Sequence, residues 1–510
     1  MKTNQLKAGV LLSYLSIGLN SIVQLAYTPV MLRLLGQSEY GIYSLVNSVV
    51  GYLGLLTFGI GGAYLRFYSR ERAKGDQESV ARLNGMFLLV FSVIGVVALV
   101  AGLFLSSNAA LVFGSKLSQT ELERAGLLVV LLSVNLAISI PAGVFSSYVT
   151  AHEQYIFQRI LHIASTVLNP FLALPLLLMG IGSLSLILAS LTVTIASAAF
   201  NIVFCVKKLG IQFRFRGLRW GLLKEVYIFS AFLFLNQLID QVNWGMDSII
   251  LGHFWGTAVV AVYGLASRIN GIYLGFSTAV SSVFSPRINR IVAEGQDVNR
   301  KLLTLMIRVG RIQGLILFLI LLGMILLGKP FLVWMGGSEA YLGSYSILLL
   351  LVLPVTVSLM QNLGIEIQRA KNKHQFRSVI YTIMAGVNVC ISLILVPRYG
   401  ANGAAVGTAV SLIVANGFIM NWYYHAKLGL NMMEFWKRVG SLARGIILPV
   451  TYCVICALAL DLFQPLCFFG AGAGLVLVYA LSMWRWGMNE EEKNLIRRPL
   501  GRLFKKGAVS

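Results

Sequence analysis

The sequence predicts an all-α integral membrane protein of about fourteen transmembrane helices, organised as two six-helix bundles in parallel repeat plus two C-terminal helices. Three observations predict it. Apolar residues fall in runs of about 20, the length that crosses a hydrocarbon core about 30 Å thick. Basic residues crowd into every second connection between those runs. The chain also matches itself weakly at an almost constant offset of 216 to 220 residues.

Of the 510 residues, 57% are hydrophobic and 12% charged, against about 25% charged in an ordinary soluble domain. Mean hydropathy is +0.79. A soluble fold of this composition would have no wettable surface, so the bilayer is the solvent. The runs lie near 8 to 32, 41 to 65, 84 to 106, 125 to 149, 160 to 180 and 184 to 206. Six more lie near 226 to 251, 258 to 284, 302 to 327, 343 to 365, 377 to 397 and 402 to 424, and two near 442 to 461 and 465 to 484. The first run is too long for a signal-peptide core and lacks a small-residue cleavage site before Arg33, so it reads as the first span. The five cysteines, Cys205, Cys390, Cys453, Cys456 and Cys467, sit in or beside apolar runs. Cys453 and Cys456 have CxxC spacing, but no second pair or nearby His supports a metal or redox site.

With a cytoplasmic N-terminus, the inward segments hold Arg66, Arg70, Arg72, Lys74 and Arg82, then Lys207, Lys208, Arg214, Arg216, Arg219 and Lys224. Further on they hold Arg287, Arg290, Arg300, Lys301, Arg369, Lys371, Lys373, Arg377 and the tail from Arg485 to Lys506. Outward loops hold only Arg33, Lys116, Arg124, Lys329 and Arg398. This asymmetry predicts both termini in the cytoplasm. It also accounts for the net charge of +22 without nucleic acid.

The internal match pairs Leu35-Gly36 with Leu251-Gly252, Tyr43 with Tyr263, Gly51 with Gly271, Arg70 with Arg290 and Gly75 with Gly295. It continues through Ala151 with Ala370, Phe157 with Phe376, Asn169 with Asn388 and Gly180 with Gly400. Each copy has an even number of spans, so the two share one orientation. The expected division is 1–210 and 211–428 for the two bundles, with 429–510 holding two extra spans and the basic tail. A transporter's substrate would sit between the bundles.

Charge inside a span costs roughly 2.5–3.5 kcal/mol on insertion scales, so each buried charge is a functional candidate. In the seventh span Asn236, Asp240, Asn243 and Asp247 recur at i, i+4, i+7 and i+11 on one helical face, widened by Gln237 and Gln241. A face this polar should line water rather than lipid. Asp240 and Arg268, each about ten residues from the outer end of its span, both fall near the midplane. Arg66, Arg159 and Arg308 lie at inner span ends, where snorkelling anchors are expected. Glu366 is positioned to pair with Arg369. The first-copy equivalents of Asp240 and Arg268 are Gln24 and Ser48.

Two segments carry a family resemblance: Leu35-Gly36-Gln37-Ser38-Glu39-Tyr40-Gly41-Ile42-Tyr43, and Pro397-Arg398-Tyr399-Gly400-Ala401-Asn402-Gly403-Ala404-Ala405 through Thr408. With the layout of six, six and two spans, the whole chain resembles the polysaccharide (O-antigen type) flippase family of the multidrug/oligosaccharidyl-lipid/polysaccharide exporter superfamily. The resemblance implies translocation of an undecaprenyl-pyrophosphate-linked oligosaccharide across a bacterial cytoplasmic membrane for envelope polysaccharide synthesis, alongside a polymerase and glycosyltransferases. It implies that Arg268 grips the diphosphate, for which a guanidinium fork is suited. An Asp240 to Arg268 ion pair that neutralises both charges is the alternative. Superfamily members that couple to a cation carry an Asp in the seventh span, an Asn in the eleventh and a Thr in the twelfth. Here the candidates are Asp240, Asn388 and Thr408. Where some relatives have a second acid one turn after that Asn, this chain has Ser392, which leaves sodium and proton coupling both open.

No cofactor or resident metal is expected. His152, His162 and His374 lack ligand partners at helical spacing, and no Walker loop or nucleophile elbow occurs. The expectation is therefore a transporter, not an enzyme. Its rivals are a cation-coupled multidrug exporter and a membrane polymerase of lipid-linked sugars. A polymerase would need a large polar loop, and the connections here reach only about 20 residues.

Overall fold

The computed structural model describes residues 2–495 and Arg497, apart from Phe58, Ser115 and Arg219, and leaves out the side chains of residues 1–15, 17, 60, 220, 229, 232, 233, 236, 279 and 282. Arg219, the Asn236 side chain and the basic tail past Arg497 thus lie outside the described residues. Every regular element among the described residues is helical.

Eleven helices are long and apolar enough to cross a membrane, twelve with the pair Met432–Gly440 and Ala443–Ala459, which is bent by 44°. Two further features bear on the expected fourteen. The first, Lys2–Gly54, is broken at Gly36 (φ 74°, ψ 172°), so 2–35 and 37–54 are separate arms, the second continued by Ile60–Ala73. A backbone in that region needs a residue without Cβ. The seventh span is the helix Trp220–Trp255. The remaining spans are Gln77–Ser107, Gln119–Ala151, Tyr155–Leu178, Leu184–Lys207, Thr257–Ser282, Val298–Gly336, Ser344–Met360 with Leu363–Ala370, Gln375–Tyr399, Ala401–Ala426 and Pro465–Gly487. Large apolar side chains stand fully outward, such as Leu458 at 84% and Leu466 at 86% exposure. That many outward hydrophobics are stable only against lipid, which makes this a multi-pass membrane protein.

Polar termini stop the helices. Asp76 caps the third span by accepting from the Glu78 and Ser79 amides. Ser118 and Glu121 form a reciprocal capping box at the start of the fourth.

The chain forms two compact units: Met1–Leu265 with Met335–Gly337 and Ala385–Gly407, and Ala266–Trp334 with Ser338–Met384 and Thr408–Ser510. The first holds an aromatic core of Tyr64, Phe67, Tyr68, Phe87, Phe91, Phe145 and Tyr148. The second has a core where Leu322 and Leu326 meet Cys453, Cys456, Leu475 and Tyr479. Cys453 and Cys456 are free thiols packed as hydrophobes.

Matched positions in the two sequence copies adopt matched turns. The sixth span closes with Leu209 N donating to Phe204 O and Ile211 N to Cys205 O, and the twelfth with Leu428 N to Tyr423 O and Leu430 N to Tyr424 O. Gly210 (φ 63°) and Gly429 (φ 69°) supply the left-handed residue in each. Phe157 stacks on Phe204 at 4.0 Å, and Phe376 on Tyr423 at 4.2 Å.

Candidate functional site on the seventh span

The polar face of the seventh span changes character along its length. Gln237 and Asp240 are exposed, Asn243 is half-buried and Asp247 is 1% exposed. Gln241 is a packing residue. Its Nε2 donates to Ser48 O at 3.1 Å, and its backbone carbonyl accepts from Tyr52 OH at 3.3 Å. A Cβ on Gly51 or Gly245 would come within 2.5 or 2.6 Å of Gln241 Nε2, so two glycines form the notch that receives the side chain.

Asp247 is the acid that meets residues of the eleventh span. Tyr263 OH donates to Asp247 Oδ2 at 2.6 Å and Ser392 Oγ to Asp247 Oδ1 at 3.1 Å. Asn388 Oδ1 lies 3.5 Å from the same Ser392 hydroxyl. Asp247, Asn388 and Ser392 are each 1% exposed or less. Gly407 completes the enclosure, since a Cβ there would sit 2.7 Å from Ser392 Oγ and 2.8 Å from Asn388 Oδ1. Gly403 and Gly407 have small-xxx-small spacing, which lets the twelfth span approach the eleventh this closely. A carboxylate, an amide oxygen and a hydroxyl form an all-oxygen set suited to a proton or a hard cation. Among the described residues no group of three or more His, Cys, Asp or Glu could hold a metal ion.

The other expected site residues are placed as follows. Asp240 lies two helical turns before Asp247, about 10 Å along the axis. Thr408 is buried at 3% exposure. Arg268 is half-buried, and its Nε is enclosed with no hydrogen-bond partner among the described residues. Glu366 pairs with Arg369 at 2.8 Å, the local ion pair its spacing predicts.

The Gly36 break has its structural counterpart at Gly256 (φ 78°), four residues past the sequence match at Gly252, and the two turns dock on each other inside the first unit. Gln37 Nε2 donates to Ala258 O at 3.0 Å. Glu121 accepts from Ser38 Oγ and from Thr257 Oγ1, both at 2.6 Å. A Cβ on Gly41 would overlap the Thr257 carbonyl, so only glycine permits this approach. The first family-like segment is thus a docking device: Gly36 turns the chain, Ser38 reaches Glu121, and Gly41 admits the opposing backbone. Glu39 works beside it, accepting from the Ser183 amide at 2.8 Å and pairing with Arg124 at 3.2 Å.

Sequence reasoning missed Arg311. This ninth-span residue is 5% exposed, and all five of its N–H donors are engaged. Nε and Nη2 fork onto Glu492 at 2.5 and 2.9 Å, Nη2 also reaches Gly487 O at 2.8 Å, and Nη1 reaches Arg438 O and Ser441 Oγ at 2.6 Å. One guanidinium thereby ties the start of the thirteenth span, the end of the fourteenth and the segment after them to the ninth. Its only sequence signal was an Arg about one turn inside Arg308, with acids after the last span.

Known proteins share this architecture. A putative O-antigen transporter of Shigella flexneri is 22% identical over 403 residues, covering 77% of this chain and 91% of that protein. A structure of the lipid II flippase MurJ in an inward closed conformation superposes with TM-score 0.74 at 14% identity, over 96% of this chain and 99% of that one. An inward-facing multidrug resistance MATE family transporter of the MOP superfamily superposes with TM-score 0.65 at 17% identity, over 82% and 95%. At such identities the two structures establish the fold. The family model described as polysaccharide biosynthesis protein matches residues 6–292, more than half of the chain, and the protein belongs to that family.

Proposed function

We propose that the protein is a flippase that moves an undecaprenyl-pyrophosphate-linked oligosaccharide across the bacterial cytoplasmic membrane by alternating access, feeding envelope polysaccharide synthesis. Both termini face the cytoplasm, and the chain carries no catalytic residues of its own. The observation that carries this reading is the exposed Gln237 and Asp240 in the middle of a membrane helix. A polar face turned outward at that depth suits water better than lipid, so in this reading the seventh span borders a hydrated path that could shield a sugar-diphosphate head while the polyprenyl tail stays in lipid. Arg268 is the diphosphate ligand in this reading, with Asp240, Asn243 and Asn236 along the path. The family, the relative named as an O-antigen transporter and the flippase-like fold support it.

Coupling belongs to Asp247 rather than Asp240 in this proposal, because Asp247 is the acid beside Asn388, with Thr408 next to the close-packed Gly407. Protonation of Asp247, or a sodium ion on its oxygen set, would alter the bonds to Tyr263 and Ser392 that join the seventh, eighth and eleventh spans. The second reading, a cation-coupled multidrug exporter, is favoured by the likeness to the MATE fold. Deleting the gene and identifying the accumulated lipid-linked glycan by mass spectrometry decides between them. A flippase leaves a polyprenyl-linked oligosaccharide on the cytoplasmic leaflet, whereas unchanged lipid-linked glycans combined with raised drug sensitivity would favour the exporter.

A further inference from the structure

The twelfth span is α-helical over Ala401–Leu412 and Met420–Ala426, with a π-helical stretch, Ile413–Ile419, between them. A π-turn widens the backbone and frees a carbonyl from its usual donor four residues on. The freed groups gather on Asn416. Its carbonyl accepts from Gln361 Nε2 at 2.8 Å and from Asn421 Nδ2 at 2.7 Å, and its Oδ1 accepts from Tyr381 OH at 2.5 Å. Asn421 Oδ1 in turn accepts from Trp436 Nε1 at 2.6 Å. The tenth, eleventh and twelfth spans therefore meet at one asparagine.

In the first sequence copy Gln158 Nε2 reaches Ser146 O at 3.3 Å and Asn201 Oδ1 at 2.9 Å, which joins the fourth, fifth and sixth spans without a π-turn. Asn201 Nδ2 donates to the Ser197 carbonyl four residues back at 2.9 Å within an uninterrupted α-helix. The π-turn is particular to the second copy.

Asn416 is 6% exposed and Gln361 2%, yet Asn416 Nδ2 and Gln361 Oε1 are enclosed with no hydrogen-bond partner among the described residues. Turning the Gln361 amide over would set its oxygen against the Asn416 carbonyl, so Oε1 is fixed as an acceptor. Turning Asn416 over exchanges one orphaned atom for another. Such groups are strongly unfavourable in a low-dielectric interior unless something bonds them. The occupant must donate to Gln361 Oε1, which refuses an anion, and must meet either an N–H or an oxygen of the Asn416 amide. A water, which both donates and accepts, suits either orientation of Asn416.

We propose that the joint is a binding site for one ordered water bridging Gln361 Oε1 and Asn416 Nδ2, and that this water holds the π-turn in place. The Gln361 amide and Asn416 supply the two or more partners that a buried water requires. A ligand that binds the π register and not the α register stabilises the former by linkage. The inner part of the twelfth span, Met420–Ala426, is thereby set in rotation relative to Ala401–Leu412.

Radiolytic hydroxyl labelling of the full-length protein in lipid nanodiscs, with H2 18O mixed in just before exposure, tests this directly. A bound water generates radicals in place, and its oxygen exchanges slowly. Tyr381 should acquire slowly exchanging label several-fold above Tyr273, a buried tyrosine whose hydroxyl is already bonded to Thr356 and the Leu317 carbonyl. Asn416→Leu should bring Tyr381 down to the Tyr273 level. Label at Tyr381 no higher than at Tyr273 in the unmodified protein, or unaltered by Asn416→Leu, would overturn the proposal. The first comparison needs no variant, so the test stands even if the substitution impairs folding.

Discussion

The sixth and twelfth spans close with the same backbone hydrogen bonds and the same left-handed glycine, yet Cys205 fills the buried place in one and Tyr424 in the other. The same contrast runs through both copies. Where the second has Asp247 and Ser392, the first has Met31 and Ala173, both fully buried and apolar. Turns are retained because left-handed positions and helix ends tolerate few residues, whereas a buried side chain needs only to fill its volume or satisfy its polar atoms. The two matched segments thus share their turns, whereas the buried carboxylate of Asp247, held by Tyr263 and Ser392, is matched in the first copy by apolar packing at Met31 and Ala173.

The largest expected effect tests the second copy's dependence on buried charge. Arg311→Ala strands Glu492 in the interior and should cost about 3–5 kcal/mol. Replacing both partners, as Arg311→Met with Glu492→Leu, should recover most of that loss, because a buried pair offsets little more than its own desolvation. The matched first-copy position is Phe91, 4% exposed. Phe91→Ala should cost a similar 3–5 kcal/mol or so through cavity formation. Thermal unfolding in detergent measures both, and a double variant no more stable than Arg311→Ala would defeat the desolvation argument.

Asp247→Ala comes next. It removes the acceptor of two buried hydroxyls, worth about 1–3 kcal/mol, and flipping in reconstituted vesicles should fall to background. Met31→Leu, at the matched place, should cost under about 1.5 kcal/mol and leave transport intact. Loss of ion-gradient dependence in Asp240→Asn but not in Asp247→Asn would reverse the assignment of the coupling acid.

Docking of the turns at Gly36 and Gly256 gives a smaller contrast. Gly41→Ala should cost about 1–3 kcal/mol by driving a methyl into the Thr257 backbone. Ala261→Gly, the matched change in the other copy, should cost only about 0.5–1 kcal/mol of helix propensity. Equal losses would mean that the close approach at Gly41 is unimportant.

Much of this was legible in the sequence, for physical reasons that also mark the limits. A span is a local property of length and apolarity, so the all-helical, multi-span membrane fold could be read directly, as could the Glu366–Arg369 pair. Helical spacing placed Asp240 and Asp247 on one face. It could not tell which one dives into the protein, because that depends on Tyr263 and Ser392 arriving from other spans. Arg311 was obscured in the same way: its five acceptors come from residues 438, 441, 487 and 492, far along the chain. The π-turn at Ile413–Ile419 has no compositional signature at all.

The smallest effect expected is a difference in pH response between two matched turns. His152 and Lys371 occupy the same place after the fourth and tenth spans, each with its amide bonded four residues back, to Tyr148 O and Ile367 O. Burial holds His152 below the usual histidine range, with Arg72 adding to it and the Tyr148 carbonyl opposing it. Burial likewise lowers Lys371, helped by the neighbouring Lys373. Both groups bind their protons more weakly in the folded chain, so each stabilises the fold above its unfolded pKa and loses that contribution as pH falls through its folded pKa. For His152 the loss begins just below about 6.5, whereas for Lys371 it is already complete well below about 10.4. Acidification from about pH 7.5 to about pH 5.5 should therefore speed amide hydrogen exchange, corrected for its intrinsic pH dependence, in 152–157 but not in 371–376. His152→Gln should flatten the first response, and an equal acceleration in both turns would show that burial of His152 does not govern it.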